Sequence, residues 1–150
     1  MRAVVQRVSK ASVKIDGRIK SSINQGLVIL LGIAAEDTHE DVEWLGGKIA
    51  RLRIFKDEDG IMNKSLLEVE GEAIVVSQFT LHAGTKKGNR PSYIKAAGPD
   101  HAIPLYDMFV QLLEQHLGKP VGTGEFGAMM DVELVNSGPV TIIIDTKKKE

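Results

Sequence analysis

Two stretches of this 150-residue chain bring reaction-capable groups together. In Ser77-Gln78-Phe79-Thr80-Leu81, two hydroxyls and a carboxamide fall at the end of a strand-like run, and His82 follows directly. Such groups suit acyl transfer, in which a hydroxyl attacks a carbonyl with help from a base. The supporting pattern is missing, however. There is no Gly-x-Ser-x-Gly elbow, and no histidine is tied by spacing to a serine and an aspartate. Within a strand, Thr80 reads first as an ordinary β-branched residue and only second as a nucleophile. Ser77 and Gln78 stand equally well as polar contacts to a ligand or as partners for turn backbone groups.

The second stretch is Asn136-Ser137-Gly138-Pro139-Val140-Thr141, where a Gly-Pro pair separates two strand-like runs, Asp131 to Val135 and Val140 to Asp145. Proline cannot donate to a sheet ladder and is confined to edges, strand starts and bulges. An X-Pro bond reaches the cis form at about 0.5–1 kcal/mol above trans. Gly138 removes any side chain that would keep another molecule away from the backbone. The segment therefore presents bare carbonyl oxygens on a rigid turn, a device for selection by shape.

Other charged and polar groups are less pointed. The loop Gly84 to Pro91 carries Lys86, Lys87 and Arg90 with no acid, and suits either plain solvation or a backbone phosphate. His39, His101 and His116 fall on helix surfaces or ends, no His-x-x-x-His pair occurs, and there is no cysteine. That excludes disulfides, thiol nucleophiles and cysteine-based metal sites, and we expect no metal. Asp57 to Gly60 reads as a plain turn, since the further ligands of a calcium loop are absent. Lys147 to Lys149 reads as a disordered charged tail.

The elements that must hold these groups follow from periodicity. Arg2 to Val8 and Ala11 to Ile15 alternate as strands, Asp16-Gly17 marks a hairpin, and Arg18 to Ile23 returns antiparallel. Leu27 to Ile33 is uninterrupted and apolar, which predicts a central strand covered on both faces. Thr38 caps a helix whose Val42, Leu45, Ile49 and Leu52 share one face. Gly46-Gly47 inside it suggests close contact with another backbone. Arg53 to Lys56 and Glu72 to Gln78 read as strands, the latter running into Ser77 to Leu81. Pro99-Asp100 opens a second helix with Tyr106, Phe109, Val110, Leu113 and Leu117 on one face and Gly118 as its stop. The pattern predicts a single α+β domain over residues 1–150, a largely antiparallel sheet with two main helices. Composition, 43% hydrophobic and 26% charged, is that of a soluble globular chain, and the net charge of -1 leaves any RNA contact to local basic patches. The longest apolar run, Leu27 to Ala35, is far short of the ~20 residues that span a bilayer. No membrane contact and a cytoplasmic location are the expectations.

Taken together, these segments resemble the D-aminoacyl-tRNA deacylase family, also called D-tyrosyl-tRNA(Tyr) deacylase. The two stretches above carry the match. Met1 to Val8, Lys87 to Tyr93 and Gly124 to Met130 fit it as well, so the resemblance spans almost the whole chain. It implies a homodimer with a β-barrel-like sheet, helices packed outside and active sites at the interface. It implies hydrolysis of the ester joining a D-amino acid, or glycine mischarged on tRNA(Ala), to the tRNA 3' end, without a cofactor. This is a chirality-proofreading step in translation quality control. A cis Gly138-Pro139 would enter the partner's pocket, grip the α-amino group and exclude an L side chain, a discrimination by clash. Thr80 is either a nucleophile or dispensable, with backbone N–H groups around Phe79 and Thr80 stabilising the oxyanion and the tRNA 2'-OH assisting. Ser77 and Gln78 would line the pocket with Phe79. Phe126 and Met129 would wall the terminal adenosine, where stacking is worth ~1–3 kcal/mol per base. Lys86, Lys87 and Arg90 would meet acceptor-stem phosphates, and Asn136 completes the substrate-binding set. On the residues alone, a noncatalytic tRNA-binding module and a small-ester hydrolase remain the alternatives.

Overall fold

The computed structural model describes residues 1–150. The two alternating runs at the N-terminus form one strand, β1 (Arg2–Ile15), which stays extended through the exposed Ser9 and Lys10. Its first half pairs antiparallel with β3 (Gly26–Gly32), and its second half pairs with β2 (Arg18–Ile23) across the Asp16-Gly17 turn. Further along lie β4 (Phe55–Lys56) and β5 (Met62–Lys64), a small hairpin closed by the Asp57 turn, and then β6 (Glu72–Ser77) and β7 (Gly122–Thr123). Parallel pairing of β3 with β6, and of β6 with β7, makes the sheet mixed, although its pairings along β1 are all antiparallel. Strand direction is set by what connects the strands. Helix α1 (His39–Ala50) lies between β3 and β6, and helix α2 (Pro99–Leu117) between β6 and β7, and such crossovers return the chain parallel.

The sheet curls until β2 meets β7. There the Ser21 hydroxyl donates to the Thr123 carbonyl at 2.5 Å and accepts from the Thr123 N–H at 3.0 Å, nearly closing a barrel. Alternation then sorts the core into two layers. Val8, Val13, Val28, Ile74 and Val76 fill the barrel. Leu27, Ile29, Leu31, Ala73 and Val75 face outward beneath Leu45, Ile49, Phe109 and Leu113 of the helices. The apolar run of β3 is thus covered on both faces, as its composition predicts. Gly46 meets a side chain, not a backbone: a Cβ there would lie 2.9 Å from Leu112 Cδ2 on α2.

The last strand, β8 (Asp131–Asp145), pairs along the whole other edge of β1 and holds the Gly-Pro pair within it. Beyond it, Thr146 is buried and accepts a hydrogen bond from the Met1 amine at 2.9 Å, which also ion-pairs with buried Asp37 at 2.6 Å. Lys147 is no free tail residue, because its ammonium sits 3.0 Å from Asp41 at the start of α1. Burial pushes the Asp41 carboxyl up, but hydrogen bonds from Thr146, the Thr38 amide and Lys147 outweigh it and hold the group well below the usual carboxylate range.

Tyr106 fastens α2 to the sheet by donating to the Val75 carbonyl at 2.7 Å. Burial, with a smaller contribution from Asp107, pushes its pKa up to about 12. The folded-state value lies above the ordinary value of about 10, so this stabilisation is complete below pH ~10 and fades as pH rises through the folded value. Tyr106→Phe is expected to cost about 1–3 kcal/mol at neutral pH and to remove that alkaline loss. Urea unfolding of both proteins from pH 7 to 11.5 checks this; parallel curves would refute it.

Candidate active site

Strand β6 ends at Ser77, and the chain then turns into a short 3-10 helix, Phe79–His82. Thr80 therefore lies on a helical turn and not in a strand. The turn is anchored from several sides. The Gln78 N–H donates to Leu31 O at 2.8 Å, Arg2 Nη1 donates to Leu81 O at 2.6 Å, and Gln78 Nε2 donates to Thr80 Oγ1 at 2.5 Å. As at any helix start, the first N–H groups lack intrahelical acceptors. Those of Phe79 and Thr80 have no acceptor elsewhere in the chain either. Two adjacent free donors on a braced turn are the geometry that receives a developing oxyanion. No side-chain base backs the hydroxyls: His82 is buried and its Nε2 has no hydrogen-bond partner.

Ser77 and Gln78, just ahead of this turn, form the polar edge of a cavity of about 680 Å³ that is otherwise mostly apolar, and Thr80 does not line it. Ser77, Gln78 and Phe79 line it together with Phe126 and Met129, so five of the sequence-derived positions converge. Tyr93, Ala96 and Ala97 from the segment before α2, with Pro99 at its start, complete a wall that sequence reasoning missed. Phe79 stacks edge-on against Tyr93, with centroids 5.1 Å apart, and Met129 is 89% exposed at the rim. Lys86, Lys87 and Arg90 are exposed on the loop ahead of Tyr93 and do not line the cavity.

Gly138 and Pro139 do not line this cavity either. Gln6 pairs with Thr141 and Val8 with Asn136, so Ser137 to Val140, four residues, stand opposite Arg7 alone. The surplus projects from the sheet edge, with Gly138 and Pro139 exposed, Gly138 at φ +139° and the bond between them cis. Asn136 closes its base: its Oδ1 accepts from Val140 N–H at 2.7 Å, and its Nδ2 donates to Val140 O and Thr141 Oγ1. The Asn136 amide thus faces the loop itself. Arg7 supports the projection from below, donating from Nε to Ser137 O at 2.8 Å and from Nη1 to Ile54 O at 2.6 Å. Sequence reasoning missed Arg7, yet a signal was there. Ala3, Val5 and Arg7 share one phase of β1 and all are buried, so a charge stands where alternation calls for an aliphatic residue.

Fold and cavity together define a barrel-like α+β protein with a mostly apolar cavity edged by Ser77 and Gln78. The D-Tyr-tRNA(Tyr) deacylase family model matches residues 4–145. The chain is 65% identical to a D-aminoacyl-tRNA deacylase of Bacteroides fragilis (strain YCH46), over 100% of both chains. It superimposes with a TM-score of 0.93 on the solved c-Myc DNA Unwinding Element Binding Protein, at 40% identity, covering 97% of this chain and 99% of that one. A probable eukaryotic D-amino acid tRNA deacylase shares the fold at a TM-score of 0.80 and 18% identity, covering 95% and 97%. The chain belongs to the D-Tyr-tRNA(Tyr) deacylase family, which makes it a hydrolase.

Proposed function

We propose that this protein hydrolyses the ester between a D-amino acid and the 3'-terminal ribose of tRNA, and likewise removes glycine mischarged on tRNA(Ala). One observation carries the reading: the Ser137–Val140 projection is braced, exposed and outside its own chain's cavity. Such a device needs a pocket in another subunit. The edge strand bearing it also exposes Val135 beside the projection, an apolar group suited to a homodimer contact. Entering the partner's cavity, the main-chain carbonyls of the projection receive the α-amino group. An L side chain then collides with backbone, while a D side chain points away and glycine has nothing to reject. In the pocket, the free N–H groups of Phe79 and Thr80 bind the oxyanion. The terminal adenosine packs on Phe126 and Met129, and Lys86, Lys87 and Arg90 meet the acceptor stem. The tRNA 2'-OH assists attack on an ester that is already activated. The cytoplasm, where tRNA is charged, is the place of action.

Hydrolysis of D-Tyr-tRNA and L-Tyr-tRNA tests the proposal, with Gly-tRNA(Ala) as a third substrate. Rapid turnover of the D-ester and survival of the L-ester are expected; equal rates, or none, would overturn it. Thr80→Ala should stay within about tenfold of the wild type, whereas a 2'-deoxy terminal ribose should slow the reaction by about 10²-fold or more. A folded but inactive Thr80→Ala would restore the hydroxyl as nucleophile.

A further inference from the structure

A second cavity, of about 660 Å³, lies away from the first, between α1 and the end of β8. Its floor is Ile142 to Ile144, and its walls include Trp44, Lys48, Lys148 and Lys149. Two ammonium groups share the Trp44 ring: Lys48 Nζ lies 5.5 Å from the centroid and Lys149 Nζ 4.5 Å. Like charges repel at such range, and neither lysine has a carboxylate partner. The two acids at the groove are already engaged, Asp145 with Arg2 at 3.0 Å and Glu150 with Lys148 at 3.8 Å. The groove is therefore held together around an unmatched positive charge that an anion would relieve. Buried Thr146 and the Lys147–Asp41 pair anchor the segment that leads to Lys148 and Lys149.

Two links tie the groove to the reaction. Ile142 is three residues beyond Pro139 on the same strand, about 10 Å along it. Arg2, at the groove's edge, holds the Leu81 carbonyl of the catalytic turn. We infer that this groove is a second contact for the tRNA substrate, taking sugar-phosphate backbone of the acceptor arm between Lys48 and Lys149 against the Trp44 face. The inference rests on the deacylase reading for the identity of the polyanion. A lysine pair that neutralises one or two phosphates adds affinity and salt dependence without touching the ester.

Trp44 is the sole tryptophan, so its fluorescence reports on the groove alone. Titration with uncharged tRNA is expected to change Trp44 emission in the wild type. In K48A/K149A the Kd for tRNA and the KM for D-Tyr-tRNA should rise about fivefold or more, with the slope of log K against log salt shallower by about 1–2. Hydrolysis of D-tyrosyl-adenosine, which lacks the acceptor arm, should be unchanged, and K48R/K149R should restore tRNA affinity. Unaltered tRNA affinity, or Trp44 emission unmoved by tRNA, would overturn the inference. Equal loss on the adenosine ester would reduce the lysines to a structural role and overturn it too. A change in sedimentation in place of tRNA affinity would assign the groove to a second copy of the chain. Should the wild type leave D-Tyr-tRNA intact, the deacylase reading fails while the tRNA titration still decides the groove.

Discussion

Gly138→Ala is expected to lower kcat/KM for D-Tyr-tRNA by about a hundredfold while leaving the barrel folded. At φ +139° an L residue is strained by about 1–3 kcal/mol whatever its surroundings. Here the added Cβ would also meet Arg7 Nη2 and Val140 Cγ2, each at 2.9 Å, and Val140 N at 3.1 Å. Relief requires the projection to shift, because Arg7 below is buried and held by two carbonyls. The residue is exposed and no core contact is lost, so the fall in stability is limited to this strain while the carbonyls lose their aim. A misplacement of about 1 Å suffices for a hundredfold loss. Steady-state kinetics on D- and L-Tyr-tRNA, beside a urea midpoint, measure both sides. Wild-type rates with wild-type selectivity would remove the projection from the mechanism.

Arg7→Ala is expected to be costly in stability as well as activity, at about 3–5 kcal/mol. The guanidinium donates to Ser137 O and Ile54 O, each bond to a charged donor being worth about 1.5–3 kcal/mol, and its removal leaves buried acceptors and a void. For a chain of this length the melting temperature should fall by about 6–20 °C. Arg7→Lys should not rescue it, since one ammonium cannot serve two carbonyls that a planar fork joins. Thermal unfolding and the ratio of D- to L-ester hydrolysis check the prediction. A variant that melts normally and still rejects L-Tyr-tRNA would show that the loop supports itself through Asn136.

The strands and helices were legible because alternation and the three-and-four spacing record burial directly. Leu27 to Ile33 announced both of its covered faces, and Thr38 and Gly118 marked helix ends. Parallel pairing was not legible, because periodicity is blind to strand direction. The Gly-Pro pair read as a break between two strands. In the structure β8 continues past it, since the four extra residues are taken up as a projection whose ends Asn136 rejoins. Ser77, Gln78, Phe79, Phe126 and Met129 line one cavity, while Thr80 lies on a helical turn and outside that lining. Lys147 to Lys149 looked like solvated charge because its partners, Asp41 and Trp44, lie a hundred residues away in sequence.

The loop opposite Arg7 has one more consequence, and it concerns heredity. Every amino acid brings the same peptide carbonyl, so a codon change at Ser137 rewrites a side chain and leaves the oxygen that Arg7 holds. In the proposed reaction, a recogniser made of such atoms is nearly silent to point mutation. Its vocabulary can drift only through the few positions that set its shape, namely Arg7, Asn136 and Gly138.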